Sequence, residues 1–259
     1  MNKIFRNLLA GVSTVFLAGC FGDSNTLPVN LDFSRTNYGY INSGGYQAGS
    51  FFSWDRSTDT LFYLGDVPDF APPGDSGRRD ITATYSGGVE LGADVPKLAK
   101  VQADAWIRRN SQFSISNAKR VPYNNVYTKI TSFLNADDAG GGSIADEWGI
   151  KEAIGDPDSL FVIVRDVTFG DDISLEVNAE AGADGSISVP LAEGEVRVVI
   201  EGQGLEGISG DNVAVAFLVY VLEPYWNQKA DAQTLAFRRV KRVDISRLPG
   251  LFRRVGTES

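Results

Sequence analysis

The chain has 259 residues, 43% hydrophobic and 11% aromatic, enough to bury a sizeable core and too apolar for a disordered tether. It holds no His and one Cys, which excludes His-dependent catalysis, an internal disulfide and the usual zinc and copper sites. The net charge of −9 is uneven: residues 20–227 carry 14 Lys and Arg against 30 Asp and Glu, while residues 228–259 carry 8 against 3. An acidic body with a basic end argues against nucleic acid as the main partner.

The first twenty residues are organised around Leu17-Ala18-Gly19-Cys20. An apolar run starting at Leu8 leads into it, behind the positive charges of Lys3 and Arg6. That order is the layout of a secretory signal. The apolar core is too short for a spanning helix, which needs ~20 consecutive apolar residues. The closing Cys makes the segment resemble a bacterial lipoprotein signal with its lipobox, over these residues only. The resemblance implies a signal peptide at 1–19, cleavage before Cys20 and acylation of that Cys. It also implies stable attachment, because such lipoproteins carry more than one acyl chain. Phe21 rather than Asp follows Cys20, which by analogy with enterobacterial sorting favours the outer membrane.

Residues 20–27 then read as the lipidated Cys and a small polar tether. Pro28 to Gly49 mixes Tyr38, Tyr40 and Tyr46 with Gly39, Gly44, Gly45 and Gly49. It suits either an irregular strand or a loop with exposed aromatics. Phe51–Trp54 and Thr60–Leu64 form a hairpin across the polar turn Asp55–Asp59. Val67 to Asp80 is a Pro/Gly loop, and Ile81 to Leu91 returns to strand character with a bulge expected near Gly87-Gly88. Asp94 and Pro96 suit one short helical turn. Val101, Ala103, Ala105, Ile107, Phe113 and Ile115 share odd positions, which predicts a long strand with one buried face.

Two short helices are expected next. Pro122 to Leu134 places Val126, Ile130, Phe133 and Leu134 on one side, and Ser143 to Ile154 opens with an N-cap Ser followed by Asp146 and Glu147. Phe161, Ile163, Val167, Phe169, Ile173, Leu175 and Val177 again share odd positions, broken by Arg165 and Asp171. They make one long bent strand or two strands around Gly170-Asp171-Asp172. Ser186–Leu191 and Val196–Ile200 continue the sheet. Val213 to Leu222 is apolar on both faces and reads as a central strand. Phe237 to Ile245 fits an edge strand guarded by basic residues, or an exposed helix.

Several short motifs suggest chemistry. Gly74-Asp75-Ser76-Gly77 is similar to the nucleophile segment of trypsin-like proteases, but no His is present to take the proton. Ser116-Asn117-Ala118-Lys119 fits the S-x-x-K pattern of penicillin-recognising enzymes, yet it follows a strand and lacks the expected K-T-G. Asn135 through Asp146, with Asp137-Asp138, and Asp171-Asp172 could offer oxygen ligands to calcium; Ala139 at a ligand position favours a solvated acidic linker instead. Glu193, Glu195 and Glu201 could supply a carboxylate pair for glycoside chemistry. The layout also resembles gasdermin-like pore-forming domains, in a long amphipathic strand pair at 101–115 and 161–177, intervening helices and a later sheet. No motif of that family is matched residue by residue, and burial of one face on an ordinary core explains the same alternation.

The reading is an antiparallel, β-rich α+β single domain with two short helices between two β halves. The globular part spans 28–227 and a basic C-terminal segment 228–259. The expected role is a membrane-anchored envelope lipoprotein of the outer membrane, facing the periplasm or cell surface, that binds or assembles without enzymatic chemistry or a cofactor. Its expected partners are the membrane, through Cys20, and an envelope protein or anionic surface. The expected contacts are Arg238, Arg239, Lys241, Arg242, Arg253 and Arg254, with the glycine–tyrosine region 38–54 as a second surface. The alternatives are a carboxylate-dependent envelope glycan hydrolase and a pore-forming effector.

Overall fold

The computed structural model describes residues 27–70, 79–87, 97–136, 142–179, 186–191, 194–201, 209–229 and 232–258. Its strands are β1 (Leu27–Asn30), β2 (Arg35–Thr36), β3 (Gly39–Ile41), β4 (Ser50–Asp55), β5 (Thr60–Asp66) and β6 (Arg79–Gly87). These are followed by β7 (Ser111–Pro122), β8 (Ser159–Val177), β9 (Ile187–Leu191), β10 (Gly194–Glu201), β11 (Ser209–Lys229) and β12 (Ala232–Arg239). The helices are α1 (Lys97–Asn110), α2 (Val126–Leu134), α3 (Ile144–Glu147) and α4 (Leu248–Glu258). The described chain is therefore β-rich and mostly antiparallel, with few and short helices, as an α+β reading expects. Among the described residues no helix is long and apolar enough to cross a membrane.

The main sheet runs β12-β11-β3-β2-β6-β7-β8-β4-β5. A further pairing joins β11 to β8 from Phe161 to Asp172, so the path β8-β7-β6-β2-β3-β11 returns to its start. Gly39 makes this closure possible. It sits at φ +122°, and a Cβ there would lie 2.1 Å from the Phe217 carbonyl oxygen of β11. A second, three-stranded sheet orders β1-β10-β9, with β1 and β10 parallel.

The two longest strands, β8 and β11, span two environments. Their paired ends, flanked by β4 and β5 on one side and β12 on the other, are buried on both faces. On one face Phe51, Phe161, Ile163, Leu222, Leu235 and Phe237 pack with Val126, Ile130 and Leu134 of α2 and Ala145 of α3. On the other, Phe52, Trp54, Val162, Val164, Phe217 and Val221 pack with Leu248, Leu251 and Phe252 of α4. A third core gathers Ile81, Phe113, Ile115, Ile173 and Val215 with Ala103 and Ile107 of α1 and with Val189 of β9.

The hairpin expected at 51–64 forms, as β4 and β5. α2 buries Val126, Ile130 and Leu134 as its spacing predicts, starting four residues later than expected. Ser143 caps α3 in a reciprocal capping box with Asp146, but the helix stops at Glu147 and continues as turns to Gly155. The strand expected over 101–115 is corrected: residues 97–110 are helical, and only Ser111 onward is strand. Ala103 and Ile107 are buried four residues apart while Val101 is exposed, so a helical period accounts for the burial. Among the described residues, α2 and α3 stand between β7 and β8 as expected, α1 comes before β7, and α4 follows β12.

Residues 161–177 form one strand, but not with one buried face. Leu218 pairs with Asp166 and Val219 with Val164, so Arg165 has no opposite residue on β11 and forms a bulge. The bulge exchanges the faces: Val164 and Val167 share one core, and Ile163 belongs to another. β11 runs through residue 227 to Lys229, and β12 and α4 pack on the same cores as the strands before them.

Candidate functional site

The apolar stretch Leu160–Val164 on β8 is broken by Arg165-Asp166. The bulge lets Asp166 turn inward, where its side chain is 1% exposed. An isolated carboxylate there would carry a large desolvation cost. Arg120 of β7 donates to its Oδ2 at 2.7 Å, and the neighbouring Arg165 donates to both carboxylate oxygens. Burial alone would push the Asp166 carboxyl up. The hydrogen bonds from Arg165 and Arg120 outweigh that and hold it below the usual carboxylate range. The same bond to Asp166 raises Arg165 further above neutrality, so the pair stays ionised.

Arg165 also donates to the Tyr220 hydroxyl on β11, and its guanidinium carbon lies 4.7 Å from the centre of that ring. Arg239, at the end of β12, places its guanidinium carbon 4.5 Å from the same ring centre. Tyr127, in the first turn of α2, stacks on Tyr220 with centroids 5.9 Å apart and planes 14° from parallel. Burial pushes the Tyr127 phenol up, so it remains a proton donor near neutrality. α2 begins here after Asn125, whose side chain makes no capping hydrogen bond. Four strands and a helix thus bring three arginines, two tyrosines and one buried carboxylate together on one face.

Of the six basic residues expected as contacts, Arg239 alone joins this cluster. Arg238 points elsewhere and makes a two-pronged pair with Glu223 at 2.7 and 2.9 Å. Lys241 and Arg242 are exposed in the segment after β12. Arg253 donates to the Asp32 carbonyl at 2.8 Å and Arg254 to the Asp59 carbonyl at 3.0 Å, so both tie α4 back onto the body. Arg247 does the same through Asp59 at 3.2 Å. The basic segment therefore folds back on the acidic body over much of its length.

Most aromatic side chains of region 38–54 face inward. Tyr40, Phe51, Phe52 and Trp54 are buried, and Tyr46 packs among Phe52, Phe217 and Phe252. Burial pushes the phenols of Tyr40 and Tyr46 up to about 12. These aromatics are core, not a recognition surface.

The remaining motifs take structural roles or lie elsewhere. Ser116 to Lys119 sits within β7, with Asn117 at φ 50°, so the Ser opens no helix. Asn135 binds the Leu235 backbone through both N–H and carbonyl, and Asp146 serves the α3 cap and Lys151. Asp171 accepts from Asn117 and from the Asn212 backbone. Among the described residues, no group of three or more acidic side chains is placed to hold a metal. Glu195 and Glu201 lie six residues apart on β10, which separates their Cα atoms by ~20 Å at strand rise. Paired glycosidase carboxyl groups stand ~5–9.5 Å apart. Residues 74–77, Glu193 and Asp137-Asp138 lie outside the described residues, as do residues 1–20.

The sequence did carry a signal for the Arg–Tyr cluster, namely two opposite charges in the middle of an apolar strand. The partners Arg120, Tyr127 and Tyr220 come from distant segments and gave none. No protein-family model matches this chain, and no curated protein is significantly similar to it.

Proposed function

We propose that the chain is a lipid-anchored component of the bacterial envelope, attached through acylated Cys20 and presenting one α+β domain for binding or assembly. The observation that carries this reading is the lipobox-like Leu17-Ala18-Gly19-Cys20, closing an apolar run behind Lys3 and Arg6. The outer membrane is the favoured site, with the domain facing the periplasm or cell surface.

A non-enzymatic role is supported by the character of the charged cluster. Asp166 is held ionised by two arginines, which suits it to fixing their orientation rather than to exchanging protons near neutrality. The partner is an envelope protein or an anionic surface, met by the Arg–Tyr face. The hydrolase reading loses the Glu195/Glu201 pair to distance. The pore-forming reading loses half of its amphipathic strand pair, because 97–110 is helical.

The test is co-purification from envelopes of cells expressing the native chain or Cys20→Ser. A specific envelope protein recovered with the native chain, and lost or reduced with Cys20→Ser, supports anchored assembly. Recovery of glycan fragments with no protein partner would overturn it.

A further inference from the structure

We infer that the exposed face of α1 rests on the anionic phospholipid surface in which Cys20 is anchored. This deepens the reading of the chain as a lipid-anchored component and rests on it. The length of the tether sets where the membrane lies. Residues 21–26 separate Cys20 from Leu27, the first residue of β1, so the two Cα atoms stand at most about 25 Å apart. β1 is an edge of the β1-β10-β9 sheet, and strand spacing puts β9 about 10 Å from it. α1 lies against β9, and its Ala103 and Ile107 share one core with Val29 of β1 and Val189 of β9. The anchor therefore keeps α1 within reach of the bilayer.

The chemistry of α1 selects a lipid surface. Over Lys97–Asn110 the helix carries Lys97, Lys100, Arg108 and Arg109 against Asp104 alone, in a chain whose net charge is −9. Ala103 and Ile107 face the core. Val101, Ala105, Arg108 and Arg109 are exposed, at the i, i+4, i+7 and i+8 spacing of one helical face. Val101 is 59% exposed, the most open large hydrophobic side chain among the described residues. Arg108 pairs with Asp104 at 3.1 Å and Arg109 donates to the Ala105 carbonyl at 3.2 Å, contacts that lie within α1 itself. An apolar side chain among cations is the composition of a helix that lies on a membrane surface. Each Lys or Arg near an anionic leaflet strengthens binding about fivefold. The other basic helix, α4, offers no such face: Arg253 and Arg254 donate to carbonyls of the body, and Leu248, Leu251 and Phe252 are buried.

The test reconstitutes the acylated full chain in vesicles, with a fluorophore on Ala105→Cys. Acylation of Cys20 consumes the one native thiol, so the label is selective. Phe62→Cys is the control: Phe62 is exposed on β5, which joins through β4 to Phe161, about 45 Å along β8 from Leu175 beside the α1 core. The vesicles are phosphatidylcholine alone or mixed with phosphatidylglycerol, each with a lipid that carries a quencher on its headgroup. Quenching at Ala105 should be at least about fivefold stronger in the anionic vesicles, and should fall by at least that factor in Arg108→Gln/Arg109→Gln. Quenching at Phe62 should be weak in both. Thermal melts establish that each variant is folded, and the comparison of the two vesicles needs no substitution of a cation. Equal quenching at Ala105 in the two vesicles, no change in the double variant, or quenching at Phe62 as strong as at Ala105 would overturn the inference. The intact mass of the same preparation separates the two failures. An unacylated chain overturns the anchoring reading and this inference with it, whereas an acylated chain whose Ala105 label is not quenched overturns this inference alone.

Discussion

Replacing Asp166 with Asn keeps the size of the side chain and removes its charge. The carboxylate is almost wholly buried, while its partners Arg165 and Arg120 are 24% and 43% exposed. Removing one member of a buried ion pair costs about 3–5 kcal/mol. Water reaches Arg120 and takes over part of its solvation, which places the expected loss at the lower end, about 3 kcal/mol. For a chain of this size that lowers Tm by about 6–12 °C. The loss also depends on pH. Asp166 titrates below the usual carboxylate range when folded and at an ordinary value when unfolded. Its contribution is thus fully present above about pH 4 and is lost as pH falls through the folded value. Thermal melts of the native chain and Asp166→Asn at pH 7, 5, 4 and 3 measure both effects, and the gap between the two proteins should narrow in acid. A Tm change below about 2 °C at pH 7, or a gap of equal size at pH 3, would refute the reasoning.

Three further substitutions probe the packing of the fold. Phe252→Ala removes a fully buried ring that touches Phe33, Tyr40, Phe52 and Phe217, and should cost about 3–5 kcal/mol in urea unfolding. A loss under about 1 kcal/mol would mean that α4 does not hold that core. Gly39→Ala forces a Cβ into the Phe217 carbonyl at a positive φ, and should destabilise by more than about 2 kcal/mol in the same assay. Wild-type stability would show that β3 does not close against β11 as described. Asn135→Ala strips the two hydrogen bonds to Leu235 and should cost about 1–3 kcal/mol, with faster amide exchange at Leu235 on β12. Unchanged exchange there would contradict the link between α2 and β12.

The parts of the fold legible in the sequence were those where local pattern and tertiary burial agree. The β4–β5 hairpin has a polar turn between two apolar runs, and α2 repeats Val126, Ile130 and Leu134 at helical spacing. α1 misleads because Ala103 and Ile107 fit both a period of two and a spacing of four. Only burial decides, with Val101 exposed and Ala103 covered. β8 places Phe161, Ile163, Val167, Phe169, Ile173, Leu175 and Val177 at odd positions in sequence, yet one bulge at Arg165 swaps its faces, and no local pattern announces a bulge. The ring closure through β2 and β3 depends on pairings of two and three residues, too short to carry a periodic signal. For the site, Arg239 was visible as one of several cations near the C-terminus. Its separation from Arg238 was not, since neighbouring residues on a strand face opposite ways and meet different partners.

The most direct test of the account is the intact mass and N-terminal peptide of the protein isolated from membranes. Anchoring through Cys20 predicts a mature chain that begins at Cys20 and carries acyl chains on that residue, and no acylated form of Cys20→Ser. A chain that retains Met1, or one that begins at Cys20 with an unmodified thiol, would contradict it.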